Sequence, residues 1–237
     1  MTDPRPVFTI IMGCNGCGKS MWKRESWDLL PDRYYDQDSV AAGVGGWEKE
    51  VARQEARRIV DTRIDESLRE RLSFGIESTY SGRPGRALVG RAKAADFRVE
   101  GVYIGTEGPE INVARIRQRV DDLTGHWVDP ERVSERWKFS LANLRRTAEL
   151  FDDLELFDNS RHDVLYRTRL TSQCLLERGQ VVQQADELAG WSSRWLEGYR
   201  SRRESLRMLA AKRERRRRHE ERAKGRRERS LGQGPGR

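Results

Sequence analysis

The chain has 237 residues, 35% of them Asp, Glu, Lys or Arg, and a formal net charge of +8. That length suits one α/β domain with an appendage, and no apolar run approaches the ~20 residues of a membrane span. Three cysteines, Cys14, Cys17 and Cys174, are too few for a secreted disulfide framework.

The opening stretch, Met1 to Pro6, lacks the apolar centre of a signal peptide, so the expected location is the cytoplasm. Charge is uneven along the chain. Residues 212–229 hold eleven Lys and Arg against four Glu, and Arg237 adds one more positive charge. Residues 1–211 are therefore close to neutral, and the basic character belongs to the C-terminal end.

Taken in order, Val7–Met12 is apolar and β-branched, as a buried parallel strand requires. It runs into Gly13-Cys14-Asn15-Gly16-Cys17-Gly18-Lys19-Ser20, the pattern G-x-x-x-x-G-K-S. Residues 20–30 follow without Gly or Pro and predict a helix. This strand–loop–helix context is what a phosphate-binding loop needs. The glycines Gly13, Gly16 and Gly18, with Asn15 between them, let successive N–H groups point inward at an anion. The helix N-terminus adds partial positive charge. Lys19 reaches the β- and γ-phosphates of a nucleotide, and Ser20 contacts Mg²⁺. Cys14 and Cys17 form a C-x-x-C inside the loop. They either fill variable positions or make a redox pair whose disulfide would deform the loop.

Arg33–Asp36 predicts a short second strand with Asp36 and Asp38 at its carboxyl end, where ligands sit in open α/β sheets. Asp38 is there either a general base or the N-cap of a short turn. Ala41–Gly46 reads as a flexible loop. Trp47–Leu72 reads as a long helix with a stripe of Ala52, Ala56, Ile59, Val60, Ile64 and Leu68. Ser73–Glu77 predicts a strand ending in a polar loop, 77–85, where Glu77 and Thr79 suit hydrogen bonding to a polar substrate. Arg86–Ala95 predicts a helix and Phe97–Gly105 a strand. A helix over 110–120 carries Arg115 and Arg119 on one face, either as a lid that brings arginines to a transferred phosphate or as a solvated basic surface. A helix over 131–151, a strand over 154–158, and short strands over 164–170, 174–177 and 181–184 follow. Residues 193–229 are helical by composition, with Trp191 and Trp195 expected to pack rather than bind.

Laid in order, these pieces resemble the zeta-toxin-like family of small P-loop kinases. The stretches that carry the resemblance are G-C-N-G-C-G-K-S (13–20), Y-D-Q-D-S (35–39), I-E-S-T-Y-S-G (76–82) and N-V-A-R-I-R-Q-R-V (112–120). G-H-W-V-D-P-E (125–131), R-W-K-F-S-L-A-N-L (136–144) and F-D-N-S (157–160) complete it. The resemblance implies an ATP- and Mg²⁺-dependent phosphotransferase. In it Asp38 is the base for a substrate hydroxyl, Lys19 and Ser20 hold phosphates and Mg²⁺, Arg115 and Arg119 stabilise the moving phosphoryl, and Glu77 and Thr79 contact the acceptor. The best-known members phosphorylate UDP-N-acetylglucosamine and act as toxins paired with antitoxins, so a sugar-nucleotide acceptor and an antitoxin partner are what the resemblance implies here.

The expected fold is α/β: a P-loop NTPase-type parallel sheet flanked by helices, with a C-terminal β-hairpin and a long basic helix. The expected division is a kinase domain over 1–200, a basic helical arm over 201–230 and a disordered end over 231–237. A polynucleotide or nucleoside kinase, and an NTP-binding module whose arm docks on nucleic acid, are the other functional readings. The arm itself reads first as a solvated or partner-binding helix, since no aromatic is interleaved there for base stacking.

Overall fold

The computed structural model describes residues 3–46, 49–122, 125–161 and 170–232. They fall into two units, Met1–Ser193 and Arg194–Arg237. The first unit is built on β1 (Val7–Met12), whose side chains from Phe8 onward are buried. A strand buried on both faces is near-continuously apolar, and this one is, apart from Thr9.

The other strands are β2 (Tyr34–Tyr35), β3 (Phe74–Ser78), β4 (Arg98–Gly105), β5 (Asp153–Asp158), β6 (Thr171–Glu177) and β7 (Gln180–Gln184). They form one seven-stranded sheet in the order β2-β3-β1-β4-β5-β6-β7. The first five in that row are parallel, and β6 and β7 are antiparallel. The expected C-terminal hairpin is therefore an extension of the main sheet. Because β1 pairs with β3 on one side and β4 on the other, the chain changes direction across the sheet beside it. The crevice at the carboxyl end of β1 is where such sheets bind ligands.

The helices are α1 (Lys19–Glu25), α2 (Gln37–Gly43), α3 (Glu50–Glu70), α4 (Arg83–Ala94), α5 (Pro109–Asp121) and α6 (Pro130–Thr147). α7 (Gly190–Gly232) begins in the first unit and supplies the described residues of the second. In the second unit Trp195 and Tyr199 stack at 5.1 Å between ring centroids. No helix among the described residues is long and apolar enough to cross a membrane.

Several sequence expectations shift. The stretch read as a flexible loop over Ala41–Gly46 is helical as far as Gly43. The reason lies upstream: one carboxylate oxygen of Asp36 accepts from the N–H groups of Asp38 and Ser39 and starts α2. The helix after the phosphate loop stops at Glu25, and a 3₁₀ turn covers Trp27–Leu29. In α3 the stripe is Ala52, Ala56, Val60, Ile64 and Ser67, with Ile59 and Leu68 half-buried. α7 extends to Gly232, so Leu231 and Gly232 are helical, while 233–237 lie outside the described residues. The strand expected over 164–170 lies outside them too, except for Leu170, which is not in a strand.

Candidate functional site

The loop between β1 and α1 closes on itself as a phosphate nest does. Gly16 (φ 77°) and Gly18 (φ 110°) take left-handed backbone conformations. Space requires glycine as strongly as conformation does: a Cβ on Gly16 would lie 2.6 Å from the Asn112 carbonyl oxygen, and one on Gly18 would lie 2.2 Å from Asn159 Nδ2. Lys19, nine-tenths buried, donates from Nζ to the carbonyls of Gly13 at 3.0 Å and Cys14 at 3.4 Å. Its ammonium thus rests on the loop's own oxygens at the mouth of the nest.

A cavity of about 530 Å³ opens over this loop. Asn15, Gly16, Gly18, Lys19 and Ser20 line it, and so do Asp38, Glu77, Arg115 and Arg119. Four separate elements therefore deliver the expected residues to one space. Gly13 lies beneath it, where its N–H donates to the Ser78 carbonyl and fastens the loop to β3. Thr79 is not brought into this cavity. It lines a second one of about 700 Å³ together with Ser81, Arg91 and Arg136, and Glu77 lines both.

Asp38 sits in the first turn of α2, and the residue capping that helix is Asp36. The capping role that stood as the alternative for Asp38 thus belongs to its neighbour. Burial first, then the carboxylates of Asp36 and Glu77, push the Asp38 carboxyl up from its ordinary range; His126 and Lys19 act the other way. A raised carboxyl pKa in a cleft is the pattern of an acid–base residue. Arg115 donates to the Asn159 carbonyl oxygen at 2.8 Å, and burial lowers its pKa. α5 starts with Pro109 at its N-terminal turn, and its register sets Arg115 and Arg119 on the cavity side.

Other lining residues had drawn no role from the sequence: Gln118, Asp122, His126 and Asn159. Asn159 donates from Nδ2 to the Cys17 carbonyl at 2.7 Å, which locks the loop from the β5 side. Arg136 donates from Nη1 to Asn15 Oδ1 at 2.7 Å. Lys23, one turn after Lys19, contacts Asp36 and Glu77. The stretches holding Arg136 and Asn159 stood out in the sequence, but nothing in one dimension pointed them at the loop.

The C-x-x-C does not form a disulfide; all three cysteines are free thiols. Cys17 belongs to a core cluster with Ile11, Trp22, Val102 and Ile104, and Cys14 to another with Ile116 and Val133. Burial pushes the Cys14 thiol up to about 11 and the Cys17 thiol upward as well. Both side chains pack as core residues. Trp191 packs too, donating from Nε1 to Asp158 Oδ1 at 2.7 Å.

A protein of Haemophilus influenzae named only as uncharacterized is 30% identical over 125 residues, which cover 53% of this chain and 88% of that one. The chain belongs to one family with it. No family model matches the chain. Among solved structures, one from the PezAT chromosomal toxin–antitoxin system of Streptococcus pneumoniae is similar. It is 13% identical with a TM-score of 0.52, covering 87% of this chain and 89% of that chain. A chain of the AvrRxo1-ORF1:-ORF2 complex crystallised with ATP is also 13% identical, with a TM-score of 0.57, covering 75% of this chain and 60% of that one. These neighbours show the fold: a P-loop NTPase-type α/β sheet flanked by helices.

Proposed function

We propose that this chain is an ATP-dependent phosphotransferase of the zeta-toxin-like kind. The observation that carries the reading is the convergence of Lys19, Ser20, Asp38, Arg115 and Arg119 on one cavity, with Glu77 shared between it and a neighbouring cavity. A phosphate nest alone would fit any nucleotide-binding protein. A carboxylate with raised pKa and two arginines on the same space are the parts of phosphoryl transfer.

ATP lies with its phosphates on the loop, and Lys19 turns from the Gly13 and Cys14 carbonyls to the β- and γ-oxygens. The acceptor hydroxyl enters from the second cavity, between Glu77 and Thr79. Its oxygen forms a new bond to the γ-phosphorus while the bond from that phosphorus to the β–γ bridging oxygen breaks. The hydroxyl proton passes to Asp38, and ADP leaves with the bridging electrons. Arg115 and Arg119 neutralise charge on the transferred group. The protein contributes positioning and electrostatics.

Ser20 fits Mg²⁺: its hydroxyl is a hard oxygen donor lining the cavity, and this ion commonly takes one or two protein oxygens beside phosphates and water. Held by Ser20, the ion would supply charge neutralisation at the phosphates.

UDP-N-acetylglucosamine is the acceptor we test first. It is the acceptor of the best-known members of the resembled family, and the second cavity offers hydroxyl side chains, Thr79 and Ser81, beside the cationic Arg136. The neighbour from a toxin–antitoxin system makes an antitoxin protein the proposed partner. The experiment is ATP consumption by purified protein with and without that sugar nucleotide, followed by mass spectrometry of the acceptor. A gain of one phosphate that disappears in Asp38→Asn supports enzyme and substrate together. ATP hydrolysis without transfer keeps the enzyme class and rejects this acceptor. Absence of both ATP binding and turnover rejects the reading.

A further inference from the structure

We propose that Lys23 is a positioning residue that couples the nucleotide loop to the base: one ammonium holds the two carboxylates that frame Asp38. The inference rests on the phosphotransferase reading above.

The geometry is specific. Lys23 Nζ lies 2.8 Å from Asp36 Oδ2 and 3.5 Å from Glu77 Oε2, and its side chain is 19% exposed. It also lies 5.1 Å from the centre of the Tyr34 ring. The ammonium therefore meets the C-terminal end of β3, the residue after β2 and the ring of a β2 tyrosine at once. Glu77 Oε2 is buried without a hydrogen bond, so this ammonium is its charge partner at ion-pair distance.

The two oxygens of Asp36 divide their work. Oδ2 takes Lys23, while Oδ1 accepts from the Asp38 N–H at 3.0 Å and the Ser39 N–H at 3.4 Å. A continuous chain of contacts runs from α1 through Lys23 and Asp36 to the backbone of Asp38. Lys23 lies four residues after Lys19, so both project from one face of α1. The helix that begins at the phosphate loop thereby sets where the base stands. Asp36, Glu77, His126 and Lys19 are the charged and titratable groups that act on Asp38. Without Lys23, Asp36 and Glu77 become like charges that have lost the ammonium they share. They would separate, and the α2 N-terminus would move with Asp36. A misplacement of about 1 Å at a reacting group costs on the order of 10²-fold in rate.

The test compares full-length wild type, Lys23→Met, Lys23→Arg and the double variant Lys23→Met/Asp36→Asn. Mg-ATP is the probe, and steady-state ATP turnover with water as acceptor is measured beside equilibrium ATP affinity and melting temperature. Asn keeps an N-cap but removes one of the two carboxylate charges. Lys23→Met should lower kcat at least about ten-fold, the scale of one charge-assisted hydrogen bond, with KM for ATP little changed. Lys23→Arg should restore most of the turnover, and so should the double variant. Wild-type turnover in Lys23→Met overturns the inference. So does a double variant as slow as Lys23→Met, because a purely structural ammonium is not replaced by removing its partner's charge. A wild type that neither binds nor turns over ATP overturns the phosphotransferase reading itself, and the inference falls with it.

Discussion

Arg136 on α6 donates to the side chain of Asn15 inside the phosphate loop at 2.7 Å, across 121 residues of chain. The guanidinium is half-buried, and burial, followed by the neighbouring Arg132, lowers its pKa. A cation kept there against its own desolvation fixes the loop from outside and faces the second cavity. Arg136→Met should weaken ATP binding by about 1.5–3 kcal/mol, the usual worth of a hydrogen bond to a charged group. Calorimetric titration with Mg-ATP checks it, and unchanged affinity would remove Arg136 from the nucleotide site.

Asp38→Asn should keep ATP affinity and abolish transfer. The wild type adds a pH signature. The working form of a base is deprotonated, and burial with Asp36 and Glu77 raises the Asp38 carboxyl above its ordinary 3.8. Turnover should therefore be lost on acidification at a pH above the ordinary aspartate range. A pH–rate profile of wild type locates that limb; a limb at or below the ordinary value contradicts the assignment.

Arg119→Ala should reduce turnover far more than nucleotide affinity, since arginines on a transferred phosphoryl are worth on the order of 10³–10⁵ in rate. Arg115→Ala should do both, because Arg115 also donates to the Asn159 carbonyl and so supports the loop from β5. Single-turnover measurements at saturating ATP separate the two residues. Equal behaviour of the two variants would mean that the Arg115–Asn159 contact carries nothing.

Gly16→Ala places a methyl group 2.6 Å from the Asn112 carbonyl, at a backbone φ of 77°. Overpacking of this kind costs about 1–3 kcal/mol. Thermal unfolding should show it as a fall of about 2–4 °C for each kcal/mol in a chain of this size. Nucleotide binding should fall further than stability does, because Gly16 is itself part of the nest and is pushed away from Asn112.

Asp152 gives a prediction away from the site. It accepts from Lys93 at 2.8 Å, from the Val99 N–H at 2.9 Å and from Arg5 at 3.3 Å. Burial opposes its charge, but these partners outweigh burial and hold the carboxyl below its ordinary 3.8. A depressed carboxyl contributes stability that is complete above the unfolded-state value and is lost as pH falls through the native one. Asp152→Asn should therefore destabilise the protein at pH 7 and make less difference near pH 2–3. Denaturant melts of both proteins at the two pH values test it.

Much of the site is legible in one dimension because its chemistry is local. The phosphate nest needs Gly16 and Gly18 at fixed spacing, with Lys19 and Ser20 on the first turn of a helix, and short-range geometry enforces that order. Asp38 and Glu77 follow predicted strands, and the carboxyl ends of parallel strands converge on the same crevice. Arg115 and Arg119 are four residues apart and so share a face wherever their helix lies. Misplaced boundaries also have local causes: the loop expected over Ala41–Gly46 is helical for its first half, to Gly43, because Asp36 caps α2.

The sequence by itself determined the α/β alternation, the phosphate loop and the strand ends that carry the polar residues, because hydrophobic periodicity and glycine spacing act over a few residues. Only the tertiary structure decided which long-range partners meet. Asn159 on Cys17, Arg136 on Asn15 and Lys23 between Asp36 and Glu77 depend on sheet order and on how helices pack, which no local pattern encodes. It also decided where the C-x-x-C goes: the two thiols enter separate apolar clusters, and burial pushes both upward from the ordinary thiol range.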